Sequence, residues 1–402
     1  MIIGGHQVDD AMFSYIAENA GADTCKLLLK AEPNLSFDKS FAVLQLECRR
    51  KARGKIPRLL SHERFLFPKM VSAEQCTHEQ VAQFHASQFH AHDRVLDMTM
   101  GLGVDDYYIS RRVKSLTAIE LDPEIAQVGQ YNFSFLNPGV QVIHADAVEW
   151  LKTCTQQFDA VFIDPARRGS QGQRLYRLDH CQPGVLELLP LLEQRSKRLF
   201  LKASPMIDVT QSMLDLGHHL TDVWAVSVKN ECKELFFKLD FTVVPQAVRL
   251  HALHFDGQWQ DFVTHSGSVR PAAAQCAAPQ VGDYLYEPNS SIMKLGCYDA
   301  VSAHFAVMPV APHSHLYTSN GLIDGFPGRK FIIDEIIPFK DKEVKRWAKT
   351  HGAMNIATRN FRLSAEALRK RLKVGDGGEE YLFATTLASG EQVLLLTSKK
   401  NN

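Results

Sequence analysis

An apolar segment that ends in an acid and runs into a glycine-containing loop decides the fold of this chain. It reads Val95-Leu96-Asp97-Met98-Thr99-Met100-Gly101-Leu102-Gly103-Val104-Asp105. Glycine lets the backbone pass close to a ligand, and a helix that follows such a loop presents free amide groups at its positive end. We therefore interpret the segment as the first strand, loop and helix of a ligand-binding unit. A lone G-x-G pattern has little specificity, so the interpretation depends on what surrounds it.

Short apolar runs alternate with amphipathic segments after this point. The predicted strands are Arg94 to Met98, Ser115 to Glu120, Val140 to His144, Phe158 to Asp164 and Arg198 to Ala203. Such alternation predicts an α/β fold with a doubly wound, mainly parallel, Rossmann-like sheet. Two hairpins are predicted next, Val223 to Leu239 turning near Lys229 to Glu231, and Val248 to Thr264 turning at Asp256 and Gly257.

The second predicted strand ends in Glu120, 23 residues after Asp97, where a carboxylate can bind both hydroxyls of a ribose. A dinucleotide dehydrogenase would also have an acid there. Its G-x-G-x-x-G fingerprint, however, would place a third glycine at Asp106, and a carboxylate at that position opposes a pyrophosphate. A phosphate-free nucleoside with a charged amino-acid tail fits better, and S-adenosylmethionine is such a ligand.

Each polar group of S-adenosylmethionine has a candidate partner. We expect Asp97 to approach its ammonium group, Gly101 and Gly103 to make room for it, Glu120 to hold the ribose, and Asp146 to meet the adenine amine. Asp105 has two interpretations, a helix N-cap or a ligand contact.

These motifs resemble those of class I S-adenosylmethionine-dependent methyltransferases. Motif I is Val95 to Gly103, motif II is Glu120 with Asp122, motif III is His144 to Ala147, and motif IV is Asp164 to Arg167. The resemblance implies a cofactor site that also includes Thr99, Asp122 and Ala147. Thr99 stands where many of these enzymes have a glycine, and D-x-T-x-G-L-G-x-D is similar to the loop of an enzyme that methylates a guanine exocyclic amine in small-subunit ribosomal RNA.

More narrowly, the chain resembles bacterial methyltransferases with a C-terminal THUMP-like module. The resemblance includes Asp164 to Arg168, Lys202 to Met206, Tyr286 to Asn289, Phe326 to Arg329 and a tail of βαβαββ order. We expect a helical domain over 1–92, the methyltransferase domain over 93–245, a β-rich connection over 246–285 and a THUMP-like α+β domain over 286–402.

Motif IV is where the target atom is expected. In amino-methyltransferases the corresponding loop holds a planar amine with an acid or amide oxygen and a backbone carbonyl, while an aromatic ring stacks on the base. Here Asp164 and Pro165 keep the first two roles and Arg167 replaces the ring. An arginine can stack on a base or bind a phosphate. We therefore assign Asp164, Pro165 and Arg167 to catalysis, and Arg167, Arg168, Lys202 and Ser204 to substrate binding.

This loop predicts methyl transfer to a nitrogen of an RNA base, with an exocyclic amine as the favoured acceptor. Cysteine-dependent attack on uracil C5 is disfavoured because Lys202 to Pro205 contains no cysteine. A 2'-O-methyltransferase that uses Lys69, Asp164, Lys202 and Glu234 stays open, as does a protein that binds cofactor and RNA without chemistry.

The charge total is balanced, with 45 Lys plus Arg against 45 Asp plus Glu, so any contact with RNA must be local. Positive charge is concentrated in Arg49 to Arg64, in Arg167 and Arg168, in Arg362 to Lys373, and in Lys399 and Lys400. Each stretch is either a solvated face or a phosphate contact. Transfer RNA or ribosomal RNA is the expected partner.

No apolar run is long enough to span a bilayer, and polar residues in Met1 to Asp10 oppose a signal peptide, so we expect a cytoplasmic protein. The eight cysteines lack C-x-x-C spacing, which opposes a zinc ribbon. His304, His313 and His315 have no evident fourth ligand, and we expect no metal.

Overall fold

The computed structural model describes residues 1–32, 34–167, 177–267 and 275–400. These residues form two compact units. The first contains Met1–Asp222 and Leu235–Gln246, and the second contains Val223–Glu234 and Ala247–Asn402. Within the described ranges, no helix combines the length and apolar character that crossing a membrane requires.

The first unit begins with a short hairpin and six helices. They are β1 Ile2–Ile3, β2 His6–Gln7, α1 Asp10–Glu18, α2 Thr24–Leu29, α3 Lys39–Ala52, α4 Pro57–Leu60, α5 Met70–Gln75 and α6 Glu79–Ser87. Asp9, Asp23 and Asp38 cap the first three helices by accepting hydrogen bonds from backbone amides. The helical character predicted for this region is therefore present, with the small hairpin added.

A mainly parallel sheet follows, with helices between its strands. Its elements are β3 Arg94–Asp97, α7 Val104–Ile109, β4 Ser115–Glu120, α8 Pro123–Leu136, β5 Gln141–His144, α9 Ala147–Thr153, β6 Ala160–Ile163, β7 Ala166–Arg167, β8 Cys181–Gln182, α10 Val185–Arg195, β9 Arg198–Ala203, α11 Val209–Leu216, β10 Leu220–Val228 and β11 Glu231–Asp240. Strands β9, β6, β3, β4 and β5 are parallel neighbours in that order, and β11 pairs antiparallel with β9. This is the doubly wound, mainly parallel, Rossmann-like sheet that the alternating pattern predicts.

The N-terminal helices pack on this sheet domain instead of forming a domain of their own. Val8, Met12, Phe41 and Leu46 share one buried cluster with Val128 of α8. The buried Asn132 of α8 also accepts a hydrogen bond from the Leu66 amide and donates one to the Leu66 carbonyl, at 3.0 and 2.9 Å. The predicted boundary at residue 92 therefore separates two stretches of sequence that share one core.

The turn between β10 and β11 matches its prediction. Lys229 and Asn230 both have left-handed backbone angles, with φ of 51° and 61°. Two consecutive residues of this kind are typical of the tight turn that suits the twist of an antiparallel hairpin.

The second unit contains the remaining elements. They are β12 Arg249–Phe255, β13 Trp259–His265, β14 Tyr284–Pro288, α12 Ser290–Leu295, α13 Tyr298–Phe305, β15 Met308–Pro309, β16 Tyr317–Ser319, β17 Gly328–Pro338, α14 Asp341–Ala348, β18 Met354–Arg359, α15 Ala365–Leu372, β19 Asp376–Thr386 and β20 Gln392–Lys400. Seven strands form one sheet in the order β15-β16-β14-β17-β20-β19-β18. Elements β17 to β20 have the predicted βαβαββ order, and Ser364 caps α15 as expected.

The hydrophobic core of this unit lies on both faces of its sheet. Val344, Trp347, Leu368 and Leu372 of α14 and α15 pack against apolar residues of β17 to β20. The segment predicted as a separate connection, 246–285, also belongs here, because Ala252 and Phe262 share a buried cluster with Tyr286 and Phe326. The described residues therefore form two compact units, whereas the sequence predicts four regions.

Candidate active site

The glycine loop leaves β3 at the carboxyl edge of the parallel sheet, where ligands bind in folds of this type. Gly101 and Gly103 have φ of 56° and 76°, which other residues rarely adopt. A Cβ atom on Gly103 would lie 2.7 Å from the ring of Phe133 in α8. Both the backbone angle and the close approach of α8 therefore require glycine at Gly103.

Glu120 binds the glycine loop from the end of the neighbouring strand. Its Oε2 accepts a hydrogen bond from the Gly101 amide at 2.9 Å, and its Oε1 accepts one from the Asp122 amide at 2.8 Å. Each carboxylate oxygen can accept more than one hydrogen bond, so both can also bind hydroxyl groups. The two amides fix the carboxylate at the sheet edge, where a ribose is expected.

Thr99 joins two motifs that the sequence treats separately. The Thr99 amide and hydroxyl donate to Asp97 Oδ1 at 2.6 and 3.3 Å. Its hydroxyl accepts a hydrogen bond from the Asp164 amide at 2.7 Å. A glycine at this position, as in many related loops, could not make the contact with Asp164.

Asp97 lies beside a second buried acid, Asp106 of α7. Both side chains are almost fully excluded from solvent. Asp97 accepts hydrogen bonds from Thr99, but neither oxygen of Asp106 has a hydrogen-bond partner among the described residues. Burial and the neighbouring acids raise the pKa of both groups. The raised pKa values favour a protonated carboxyl group in this pair, and such a group can donate a hydrogen bond to its neighbour.

Asp105, in contrast to Asp97 and Asp106, has a lowered pKa. Burial alone would raise its pKa, but the Lys202 and His85 side chains outweigh that effect and bring the pKa to about 2. Its oxygens accept from Thr77 Oγ1 at 2.5 Å and contact His85 Nδ1 at 2.8 Å. The N-cap interpretation is wrong, because the cap residue of α7 is Gly103 and Asp105 lies within the helix.

Lys202 connects this network to motif IV. Its Nζ donates to Asp164 Oδ2 at 2.6 Å and to Thr77 Oγ1 at 2.8 Å, and it lies 3.9 Å from Asp105 Oδ2. The Lys202 side chain is only 11% exposed, whereas that of Asp164 is 39% exposed. Asp164 thus faces solvent on one side while a buried ammonium group holds it on the other.

Other predicted cofactor residues have structural contacts of their own. Asp122 caps α8 and its Oδ2 binds Lys69 at 2.5 Å, while Asp146 caps α9 and is otherwise exposed. Ala147 is buried in the first turn of α9. None of these contacts blocks a ligand at the sheet edge.

The predicted substrate residues are described only in part. Pro165 is buried, and Ser204 Oγ accepts a hydrogen bond from the Met206 amide at 3.2 Å. The backbone of Arg167 pairs with Cys181 in the β7–β8 hairpin. Arg168 lies outside the described residues.

Four residues at this site were not predicted from the sequence. Thr77 and His85 lie in what we interpreted as a helical lead-in, and nothing in their spacing links them to Asp105. Asp106 was considered only as a misfit to another fingerprint. Leu121 is 59% exposed between Glu120 and Asp122, an apolar side chain next to the expected ribose and adenine.

The N-terminal basic stretch is mostly structural. Arg49 donates to four backbone carbonyls, including Glu63 and Phe65, and Arg50 binds the carbonyls of Ala20 and Ala22. Lys51, Lys55 and Arg64 also bind acids or backbone carbonyls. Arg53 and Arg58 are exposed and form no ion pair within the described residues.

The C-terminal basic helix also has internal partners. On α15 Arg369 binds Asp376, Lys370 binds Glu366, and Arg371 binds Asp341. Three of the cations that we considered for RNA contact are therefore neutralised by neighbouring acids.

One trio could in principle hold a metal ion. The ligand atoms of His90, His92 and Asp93 lie within 4.8 Å of one another. Asp93 is fully buried and already pairs with the Arg198 guanidinium at 2.7 Å. This cation neutralises the acid of the trio.

The chemistry of the carboxyl edge fits S-adenosylmethionine. The Asp97 and Asp106 pair suits a single ammonium group, Glu120 presents oxygens to a ribose, and the exposed Leu121 suits a flat adenine ring. Asp146 would meet the adenine amine. Gly101 and Gly103 keep the loop free of side chains.

Comparison with known proteins gives consistent results. Residues 75–164 match the family model described as ribosomal RNA adenine dimethylase, 284–327 match a ferredoxin-like domain, and 328–399 match a THUMP domain-like family. The predicted THUMP-like region, 286–402, is thus matched by two models instead of one.

One relative matches most of the chain, and another matches a shorter part of it. An uncharacterised S-adenosylmethionine-dependent methyltransferase of Mycobacterium tuberculosis is 24% identical over 350 residues, covering 85% of this chain and 91% of that protein. An uncharacterised RNA methyltransferase of Mycoplasma mobile is 31% identical over 93 residues, 23% of this chain and 24% of its own length.

A solved structure agrees over the full length. A crystal structure from Porphyromonas gingivalis W83, described as that of a methyltransferase, has a TM-score of 0.88 and 28% identity, with 100% of both chains covered. The motifs, the sheet order and these matches together identify the chain as an S-adenosylmethionine-dependent methyltransferase of Rossmann-like fold with a C-terminal THUMP-like domain.

Proposed function

We propose that this enzyme methylates a nitrogen of an RNA base, with an exocyclic amine as the favoured acceptor. The observation that carries the proposal is the position of Asp164. Its Oδ2 is bound by Lys202, its amide is bound by Thr99, and its Oδ1 has no hydrogen-bond partner among the described residues. A half-exposed oxygen held in this way can accept a hydrogen bond from an N–H group of the acceptor.

The residues act mainly by orientation. When bound, S-adenosylmethionine supplies an electrophilic methyl group on a sulfonium. Asp164 and the Pro165 carbonyl would accept the two hydrogens of a planar amine, which directs the nitrogen lone pair toward the methyl group. Such alignment and the exclusion of water can supply most of the rate enhancement. The amine can lose its proton after the transfer, so no strong base is required.

Lys202 sets the position of Asp164 in this mechanism. Its ammonium group binds Asp164 Oδ2 at 2.6 Å and leaves Oδ1 available to the acceptor. A carboxylate oxygen accepts hydrogen bonds, so this arrangement would select an acceptor with N–H donors.

The names of the relatives support an RNA base as the acceptor. The family model that matches 75–164, a stretch that contains Thr77, His85, Asp97, Asp105 and Asp164, is named for adenine dimethylation in ribosomal RNA. The Mycoplasma mobile relative is named an RNA methyltransferase. Transfer RNA or ribosomal RNA as the acceptor would also place the enzyme in the cytoplasm.

The Lys202–Asp164 contact also favours a second candidate, methylation of a ribose 2'-hydroxyl. That chemistry would use Lys69 together with Asp164, Lys202 and Glu234. In the described structure, however, Lys69 forms its ion pairs with Asp122 at 2.5 Å and Glu124 at 3.3 Å, and none with Asp164. We therefore rank the base nitrogen first.

Mass spectrometry of modified nucleosides tests the proposal. RNA from a strain that lacks the gene should lose one N-methylated base, and the wild-type gene should restore it. Asp164→Ala should not restore it, because an alanine accepts no hydrogen bond, whereas Asp256→Ala, an exposed acid in a hairpin turn, should restore it fully.

Each other result has a definite meaning. Loss of a 2'-O-methylated nucleoside would establish the second candidate. Restoration by Asp164→Ala would refute the catalytic assignment. An unchanged nucleoside profile, with S-adenosylmethionine still bound by the purified protein, would indicate a protein that binds the cofactor without acting on RNA.

A further inference from the structure

The proposed methyl-transfer mechanism does not use two motifs of the second unit. They are Tyr286 to Asn289, at the end of β14, and Phe326 to Arg329, at the start of β17. Antiparallel pairing places Glu287 opposite Arg329. A Cβ atom on Gly328 would lie 2.1 Å from the Glu287 carbonyl oxygen, so the two segments approach as closely as glycine allows. The motifs therefore form one structure.

This structure is a buried acid between two arginines. Glu287 Oε2 accepts hydrogen bonds from Nε, at 2.7 Å, and Nη2 of Arg329. Glu287 Oε1 accepts one from Nη2 of Arg359, at the end of β18, at 2.7 Å. The carboxylate is 2% exposed and has both oxygens occupied.

The charges of the trio do not cancel. Two guanidinium groups and one carboxylate leave a net charge of plus one. Arg329 and Arg359 keep 34% and 36% of their side chains exposed, so this charge faces solvent. Arg359 Nε is itself buried and has no hydrogen-bond partner in the described part of the chain. A buried carboxylate that fixes two guanidinium groups, with donors left over, suits a second anion.

Two aromatic side chains of the second unit form a stacked pair. Tyr298 and His315 have ring centroids 3.8 Å apart and planes 22° from parallel. Burial raises the pKa of Tyr298, and the positive charge of Arg359 partly opposes that shift. Burial, with smaller contributions from His313 and Arg359, lowers the pKa of His315, so its ring is neutral at physiological pH. The cluster thus combines cations with a flat, uncharged surface.

We propose that Arg329 and Arg359 bind a phosphate of single-stranded RNA, with Tyr298 and His315 beside the adjoining nucleotide. Guanidinium groups match the oxygens of a phosphate, and proteins bind single-stranded RNA by combining such contacts with aromatic stacking. An acidic peptide would use the cations but would have no use for the stacked rings. The choice of RNA rests on the proposed function.

Fluorescence anisotropy with the full-length protein tests this site. The probe is a labelled single-stranded RNA of mixed sequence, 12 nucleotides long, titrated at several salt concentrations. Arg359→Gln should weaken binding about tenfold and reduce the salt dependence by about 0.7 in the logarithmic slope, the value for one lost contact to single-stranded RNA. Lys370→Gln removes an exposed cation of α15 and should change affinity less than twofold.

A second variant controls for loss of binding that is caused by misfolding. Arg359→Lys keeps a charge next to Glu287 and should fold as the wild type does. It should bind the RNA about threefold to fivefold more weakly with an unchanged salt slope, because a lysine lacks the planar fork of donors.

Two results would refute the proposed RNA-binding site. The first is an equal RNA affinity of the wild type and both Arg359 variants. The second is a wild type that binds poly-glutamate through Arg359 but binds no RNA. RNA that depends on Arg359 for binding but is never methylated would refute the proposed function and leave this site intact. RNA that is methylated but binds independently of Arg359 would refute this site and leave the proposed function intact.

Discussion

The two polar clusters of this molecule have opposite compositions. At the carboxyl edge of the parallel sheet, the buried ammonium group of Lys202 lies near Asp105 and Asp164, and two further buried acids, Asp97 and Asp106, belong to the same site. In the second unit, a single buried carboxylate, that of Glu287, lies between two guanidinium groups. Excess acid suits a ligand that carries cations, as S-adenosylmethionine does, and excess cation suits a phosphate. Local charge balance therefore distinguishes the two clusters where the neutral total of the chain does not.

Lys202→Met should have the largest effect on the acid-rich cluster. The substitution removes the ammonium group that lies near the buried Asp105 and binds Asp164. Removing one partner of a buried ion pair typically lowers the free energy of unfolding by about 3–5 kcal/mol. Urea denaturation measures the loss. Lys152→Met removes an exposed lysine that pairs with Glu149, and its effect should stay below about 1 kcal/mol. Equal effects of the two variants would show that Lys202 does not balance the acids.

Asp106→Asn should stabilise the protein in a pH-dependent manner. An acid whose pKa is raised on folding gives up its proton more readily in the unfolded chain, so it lowers stability as pH rises above the ordinary value of 3.8. Asparagine removes this penalty and can still donate to Asp97. The gain should be larger at pH 8 than at pH 5, because the penalty for ionising the buried acid grows as pH rises. Urea denaturation at both pH values measures it, and a gain independent of pH would contradict the shared proton.

Thr99→Val tests the link between motifs I and IV. Valine has nearly the same shape and keeps the backbone amide that donates to Asp97, but its side chain neither donates to Asp97 nor accepts from the Asp164 amide. We expect methyl transfer to RNA to slow about tenfold, or 1.4 kcal/mol in activation free energy, while Thr99→Ser stays near the wild type. Single-turnover rates with labelled cofactor measure the change. A Thr99→Ser variant as slow as Thr99→Val would indicate that packing of the methyl group, and not the hydroxyl group, matters.

Arg53→Gln combined with Arg58→Gln should have the smallest effect. These are exposed arginines in a stretch whose other cations mostly bind backbone carbonyls and acids. Stability should change by less than about 0.5 kcal/mol, and RNA affinity by less than twofold. The anisotropy assay described for Arg359 measures the affinity. A tenfold loss would mean that the first unit also has a cationic surface for RNA, which would remove the contrast between the two clusters.

The order of elements was predictable because it depends on local patterns. Strands Ser115–Glu120 and Arg198–Ala203 begin and end where the apolar runs do, and Ser364 caps its helix as expected. Lys229 and Asn230 form the predicted turn. Each of these features is determined by a few consecutive residues, so a single sequence contains the information.

The partners of charged residues were not predictable, because they come from distant positions. Asp105 is held by Thr77 and His85, which precede it by 28 and 20 residues in a different predicted domain. The arginine-rich stretch from Arg49 is dense in charge, yet backbone carbonyls that no pattern reveals occupy many of its donors. Arg359 reaches Glu287 across 72 residues of chain.

The hairpin of β10 and β11 determines how the two units can be separated. Residues Val223–Glu234 belong to the second unit, while the segments immediately before and after them belong to the first. The chain therefore passes from one unit to the other three times, and a fragment that begins at Ala247 lacks part of its own core. Neither unit can be obtained by a single cut. Any engineered exchange of the second unit would therefore have to include residues Val223–Glu234 as well as the segment that begins at Ala247.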